Sequence, residues 1–332
     1  MDPLDVVALT RELVDIESTT GREGACGTAI AVRLRERGWA VTEQRVSDGR
    51  ANVVATRGAR PALAFSTHFD CVPPYFPSRV EGDRIYGRGT CDAKGILAAQ
   101  WAAAERLCGE GRDDIALVFV VGEERGSDGA MTANREALPT RFLVNGEPTE
   151  CRLGSATRGV WRVRFRTTGK AVHSSHPHLG ESAIEKLIDA LVQLRTIALP
   201  EDPLLGRTTY TVGVIQGGVA PNVVPPHASC EVMFRTVGAA SDIAARVAPL
   251  EPLVEIEHVL EVPPVRLHVV PGIDTEVFAY TTDVPLLGGF GTPLLYGPGS
   301  ILDAHTDAEH VRIPDLHRAV ADYVALAHTL LA

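Results

Sequence analysis

Five short polar clusters in this chain carry side chains suited to metal chemistry. They are THFDCVP with His68 and Asp70, GRGTCDAKG with Asp92, GEERGS with Glu123 and Glu124, NGEPT with Glu147, and YGPGSILDAHTDAEH with His305 and Glu309. Imidazole nitrogens and carboxylate oxygens are the ligands that zinc or a similar divalent ion takes at a catalytic site. Adjacent glutamates such as Glu123 and Glu124 raise each other's pKa when buried without a cation between them. A metal removes that cost and gives the pair separate tasks, one binding the ion and the other holding a water. A histidine ligand also needs its second nitrogen fixed by a carboxylate or carbonyl. Asp70 stands two residues after His68, on the same strand face, where it can do so. Taken singly, an HxD triplet, a Glu-Glu pair or a lone histidine reads equally well as solvated surface or ordinary structure. The weight lies in five such clusters arriving in order, each beside the end of an apolar run.

Those apolar runs define the scaffold. Helical spacing runs through Leu4 to Ile16 and Ala29 to Leu34. Strand-like segments follow at 40–46, 52–56 and 62–67, then an Ala-rich helix at 95–107, a buried strand at 115–121 (IALVFVV) and another at 141–145. Strands alternating with helices imply an α/β protein: a mainly parallel mixed sheet with helices on both faces. In open sheets of this kind ligands gather beyond the carboxyl ends of the strands, which is where the clusters fall. Near residue 159 the pattern changes. VWRVRFRT alternates apolar and polar residues, as an antiparallel strand with one wet face does. The order strand, helix, strand, strand, helix, strand then runs to about residue 258, the ferredoxin-like split unit. After Pro263-Pro264 the first pattern resumes, with a strand at 292–296 and a terminal helix at 313–331. The expected division is 1–158 plus 265–332 for a catalytic metal-binding domain, and 159–264 for an inserted α+β domain.

Composition narrows the function further. The 332 residues are too many for one typical core, and 45% hydrophobic with 22% charged is an ordinary globular balance. A formal net charge of −10 with no Lys/Arg block argues against a phosphate-backbone partner. No apolar stretch reaches the length of a membrane span, and the N-terminus lacks a signal-peptide pattern. Six scattered cysteines without a C-x-x-C pair fit free thiols in a reducing cytoplasm. Neither a G-x-S-x-G elbow nor an H-E-x-x-H helix is present, against a serine hydrolase or a single-zinc protease.

The run HFDCVP, GRGTCDAKG, GEE, GEPT and GPGSILDAHTDAEH resembles the zinc aminoacylase and carboxypeptidase family, which includes acetylornithine deacetylase, succinyl-diaminopimelate desuccinylase, aminoacylase and glutamate carboxypeptidase. The resemblance extends over nearly the whole chain. It implies two Zn2+ ions, with Co2+ or Mn2+ suited to the same ligands. His68 and Glu147 would bind one ion and Glu124 and His305 the other, with Asp92 bridging. Glu123 would be the general base and Asp70 would orient His68. In the family the peptide after the bridging aspartate is cis. GKAVHSSHPHLGESAI resembles the segment whose histidine reaches a partner subunit's active site, so His173 would donate to the oxyanion of a homodimer's neighbouring site. GGVAPNVVPPHASCEVMFR matches the following strand pair, where Asn222 and Arg235 would fix the substrate carboxylate. His176, His178 and His227 are read as bystanders, Cys71 and Cys91 as packing residues, and Gly297 and Gly299 as places where backbone nears the substrate. Thr282 or Asp283 lines the pocket or belongs to an ordinary loop. The implied reaction is hydrolysis of an amide in an N-acyl-L-amino acid; a carboxypeptidase or dipeptidase with the same site is the rival. A non-catalytic metal- or peptide-binding homologue is the third reading, and the intact Glu123 argues against it. The chain is short for this family, so trimmed loops leave the side-chain preference open.

Overall fold

The structure, a computed structural model, describes residues 3–332 and separates into two compact units. The first holds the chain up to Ser155 with Leu267–Glu276 and Thr282–Ala332; the second holds Ala156–Arg266 and Val277–Thr281.

The first unit is built on a six-stranded sheet in the order Ala40–Ser47, Arg50–Thr56, Ile115–Val120, Leu63–His68, Phe142–Asn145, Thr292–Leu295. The last four are mutually parallel, while Arg50–Thr56 runs antiparallel to both its neighbours. This is the mainly parallel mixed sheet expected. Strand geometry sends alternate side chains to opposite faces. Leu63, Phe65, Ile115, Leu117 and Phe119 enter a core with helices Val6–Val14, Gly24–Glu36, Lys94–Gly109 and Ile313–Leu330. Ala64, Ala116, Val118 and Val120 enter a smaller core on the other face with Ala130, Ala133, Leu287 and Phe290. Both faces being covered explains why Leu63–His68 and Ile115–Val120 are buried at every position and read as continuous apolar runs. Helix Lys94–Gly109 is buried nearly all round, which suits its many alanines: they let it lie close to the sheet and the terminal helix.

Among the features that escaped the sequence reading, two lie near the polar clusters. Helix Asp128–Arg135 (DGAMTANR) has poor helix formers and is held by Ala130 and Ala133 packing at i and i+3. A three-stranded sheet pairs Arg84–Tyr86 with Arg79–Glu81 and with His310–Arg312. Strands of three residues are too short for any periodicity to register. This small sheet brings the segment before Asp92 beside the segment after His305.

In the second unit four antiparallel strands stand in the order Thr209–Gly217, His227–Thr236, Gly159–Thr168, Glu255–Val262. Helices Ala183–Leu194 and Ala240–Val247 complete the split βαββαβ order. Val163, Phe165, Val232 and Phe234 face the core with Leu187 and Ile243. The other face carries a ladder of Arg162, Arg164 and Arg166 against Glu231 and Glu257. The edge strand Thr209–Gly217 leaves Val212, Val214 and Ile215 exposed.

Candidate active site

Each polar cluster of the first unit sits where the sheet's strands end at their carboxyl side. His68 is the last residue of its strand. Its Nδ1 lies 3.1 Å from the backbone oxygen of Asp70, and its Nε2 lies 2.9 Å from Oδ1 of Asp92. The nearer orienting contact is thus the Asp70 carbonyl, with Oδ1 of the same residue at 3.4 Å. The Asp70 carboxylate has a second task that spacing did not reveal. It accepts the backbone N–H groups of Glu123 (3.1 Å) and Glu124 (3.3 Å) and the Thr20 hydroxyl (2.8 Å). Nothing in the sequence near Thr20 signals this role.

Glu123 and Glu124 begin a single 3-10 turn directly after strand Ile115–Val120. The chain enters it through Gly122 at φ 77°. The positive φ favours glycine, and a Cβ there would also press on Oδ1 of Asp128 (2.1 Å) and Nη2 of Arg50 (2.5 Å). Arg50 bridges Asp128 (2.6 Å) and the buried Glu23 (2.8 Å) and so braces the turn from below. Glu147 follows strand Phe142–Asn145; it is buried, and its Oε1 has no hydrogen-bond partner. Asp92 stands just before helix Lys94–Gly109, and the Asp92–Ala93 peptide is cis. His305, at φ 64°, places Nε2 2.9 Å from Oε1 of Glu124 and 3.3 Å from Oδ2 of Asp92.

The two oxygens of Asp92 therefore each face a histidine. Two ligand sets result, His68–Asp92–Glu147 and Asp92–Glu124–His305, each with its candidate atoms within 4.8 Å of one another. The five expected metal residues converge, and they share Asp92. The electrostatics match. Burial pushes Glu123 and Glu147 well above the usual carboxylate range, and neighbouring carboxylates push them further. Glu124 is raised too, chiefly by burial. Hydrogen bonds to Asp92 and Glu124 push His305 up to about 10. For His68, burial pulls downward, but the bonds to Asp70 and Asp92 outweigh it and the imidazole is raised. Asp92 is held low: its bonds to the two histidines overcome burial. The pocket thus has a surplus of buried carboxylates over imidazoles, and Glu147 offers an orphaned oxygen. Nitrogen and oxygen donors in this number and closeness fit two divalent cations.

Other expected residues take less central places. Asp283 and Thr282 are buried, Oδ1 of Asp283 has no partner, and burial pushes this carboxyl up to about 6. Gly297 makes its close approach to protein: a Cβ there would lie 2.5 Å from the carbonyl oxygen of Glu147. Cys71 and Cys91 are buried, burial raises both thiols, and the Cys91 thiol points at the Ser300 carbonyl (3.2 Å), as packing residues do.

In the second unit His173 is exposed and its Nδ1 lies 2.8 Å from the Ser175 hydroxyl. The Ser174 N–H donates to the Asn222 carbonyl (2.9 Å), so His173 and Asn222 lie on adjoining backbone segments. Arg235 sits on strand His227–Thr236 opposite Val160 and Thr209, half-buried and with no ion pair among the described residues. His176, His178 and His227 are exposed.

Comparison with known proteins gives a consistent picture. Residues 64–329 match the family described as "Peptidase family M20/M25/M40". A peptidase M20 domain-containing protein of Schizosaccharomyces pombe is 38% identical over 96% of this chain and 83% of its own length. A probable carboxypeptidase of Aspergillus clavatus is 34% identical over 98% of this chain and 82% of its own. Among solved structures, a tripeptidase from Staphylococcus aureus superposes with a TM-score of 0.83 at 22% identity, covering 98% of this chain and 97% of that one. The chain belongs to peptidase family M20/M25/M40 and is a metallohydrolase that acts on amide bonds.

Proposed function

We propose that this chain hydrolyses the amide bond of N-acyl-L-amino acids, cutting next to a free carboxylate. The observation that carries metal-assisted amide hydrolysis is the pair of ligand sets sharing Asp92, with Glu123 immediately before the candidate ligand Glu124. His68 and Glu147 would hold one divalent ion and Glu124 and His305 the other, with Asp92 serving both; zinc, cobalt and manganese all suit these donors. When bound, such a pair lowers the pKa of a shared water and polarises the scissile carbonyl. Glu123 takes the proton of the attacking water and hands it to the departing amine. Asp70 keeps Glu123 and Glu124 in register through their backbone N–H groups.

Residues 1–158 and 265–332 form the catalytic domain in this reading, and 159–264 a lid and dimerisation domain. His173 donates to the oxyanion in the site of a partner subunit. Asn222 and Arg235 hold the substrate carboxylate, Arg235 through a charge-assisted contact; its lack of an ion-pair partner supports that use. The exposed apolar edge strand with Val214 and Ile215 supports a homodimer. No helix among the described residues is long and apolar enough to cross a membrane. Six free cysteines favour the cytoplasm as the place of action.

A second reading is a carboxypeptidase or dipeptidase with the same site, favoured by the name of the Aspergillus relative. A panel of acetylornithine, acetylcitrulline, succinyl-diaminopimelate, acyl-lysine on a carrier protein and unblocked dipeptides, each assayed with and without chelator, separates the two. Chelator-sensitive cleavage of the acylated amino acids with dipeptides untouched supports the first; the reverse pattern supports the second.

A further inference from the structure

The Glu309 side chain occupies the centre of the turn that carries Asp92. Its Oε1 accepts three backbone N–H groups, from Gly89 (2.9 Å), Cys91 (3.2 Å) and Asp92 (3.2 Å). Its Oε2 accepts Nη1 of Arg88 at 2.6 Å. Both side chains are 1% exposed. Arg88 is pinned in turn: its Nε donates to the Pro74 carbonyl (3.2 Å), and its guanidinium lies 5.0 Å from the centre of the Phe76 ring. The Glu309 backbone carbonyl also accepts the Gly87 N–H (3.1 Å). Buried N–H groups need acceptors, and successive amides turned inward form a concave anion-binding nest. Here the anion is a side chain of the chain itself, arriving from more than two hundred residues away and only four residues after His305.

We propose that Glu309 is a positioning residue for the metal pair: it ties the loop bearing Asp92 to the loop bearing His305, and so sets the distance between the bridging carboxylate and the second site's histidine. The inference rests on the reading of Asp92 and His305 as ligands. Both loops bear on the Glu124–His305 site, whereas only one bears on the His68–Glu147 site. Loosening the tie therefore weakens the Glu124–His305 site more. Groups that orient metal ligands commonly contribute 10–100-fold in affinity, and the weaker of the two zinc affinities is expected to fall by roughly that factor in Glu309→Gln, which keeps the length and one acceptor oxygen but loses the charge facing Arg88.

The test is a competition titration of wild type and Glu309→Gln with Zn2+, followed by Co2+ spectra of each. Expected are two sites in wild type and, in the variant, one site nearly unchanged with the other weakened about tenfold or more. A variant that folds and binds both ions within about twofold of wild type overturns the proposal, as does equal weakening of both sites, the mark of a merely structural loss. Wild type that takes up no metal overturns the ligand assignment and the inference with it. Should the variant fail to fold, hydrogen exchange of the metal-free wild type gives an independent reading. The N–H groups of Gly89, Cys91 and Asp92 should be strongly protected although they lie outside regular structure; exchange at the rate of open loops overturns the nest on which the proposal stands.

Discussion

The two units use their sheets in opposite ways. In the first, both faces of Leu63–His68 and Ile115–Val120 are buried, so polar side chains can emerge only past the strand ends. Chemistry is thereby concentrated at one edge, where His68, Glu123, Glu124 and Glu147 come from three neighbouring parallel strands. In the second, one sheet face is wet and carries an arginine–glutamate ladder. Its candidate residues His173 and Asn222 lie on exposed loops, and Arg235 lies on a strand. A covered parallel sheet can preorganise charged groups against burial cost. A one-sided antiparallel sheet leaves its polar groups in solvent, where each contributes little until a ligand or partner arrives.

This contrast can be broken or sharpened by substitution. The largest effect is expected at Glu123. Glu123→Ala should lower kcat by about 10³–10⁴, within the range for a lost general base, while metal analysis still finds two ions per chain. Loss of metal with activity retained contradicts the assignment. Next comes His173→Ala, with kcat down about 10²–10³ as for a missing oxyanion donor and thermal stability unchanged, since the side chain is exposed. Mixing it with Glu123→Ala should restore part of the activity if the histidine serves a partner's site. No recovery on mixing counts against a shared site.

Two smaller effects concern stability. Glu105 accepts from Arg37 (3.0 Å), Trp39 (2.8 Å) and Trp101 (3.3 Å), and although burial works the other way these bonds hold its carboxyl below the usual range. A lowered folded-state pKa stabilises above the unfolded pKa and loses that contribution as pH falls through the folded value. Glu105→Gln should therefore cost about 1–3 kcal/mol at neutral pH, and urea titrations should show the gap narrowing on acidification. A gap that widens in acid refutes the sign. The smallest effect is expected on the wet face of the second unit: Arg166→Ala, at a half-exposed pair with Glu257, should change stability by less than about 1 kcal/mol. A larger loss means that this face is covered in solution.

The alternation of apolar runs and the helix-spaced segments came straight from residue order, because burial on one or two faces dictates local pattern. The ligand candidates were legible for a similar reason: few residue types bind divalent ions, and His68, Glu124 and Glu147 each stand at or just past the end of an apolar strand, while Asp92 precedes the Ala-rich helix. Thr20, Arg50 and Arg88 were not legible, since a hydroxyl or guanidinium that braces a loop looks like any surface residue until its partner is known. Glu309 stood inside a noted cluster, yet its task could not be read there. Its acceptor role needs the amides of residues 89 to 92, and chain order says nothing about how far apart they lie in space. Sequence alone, then, determined which atoms could hold metal and which strands would carry them. Only the tertiary structure decided that Asp92 turns one oxygen to each histidine and that the Asp70 carboxylate holds the Glu123 turn rather than His68 alone, because hydrogen-bond direction depends on loop geometry over distances that no local pattern encodes.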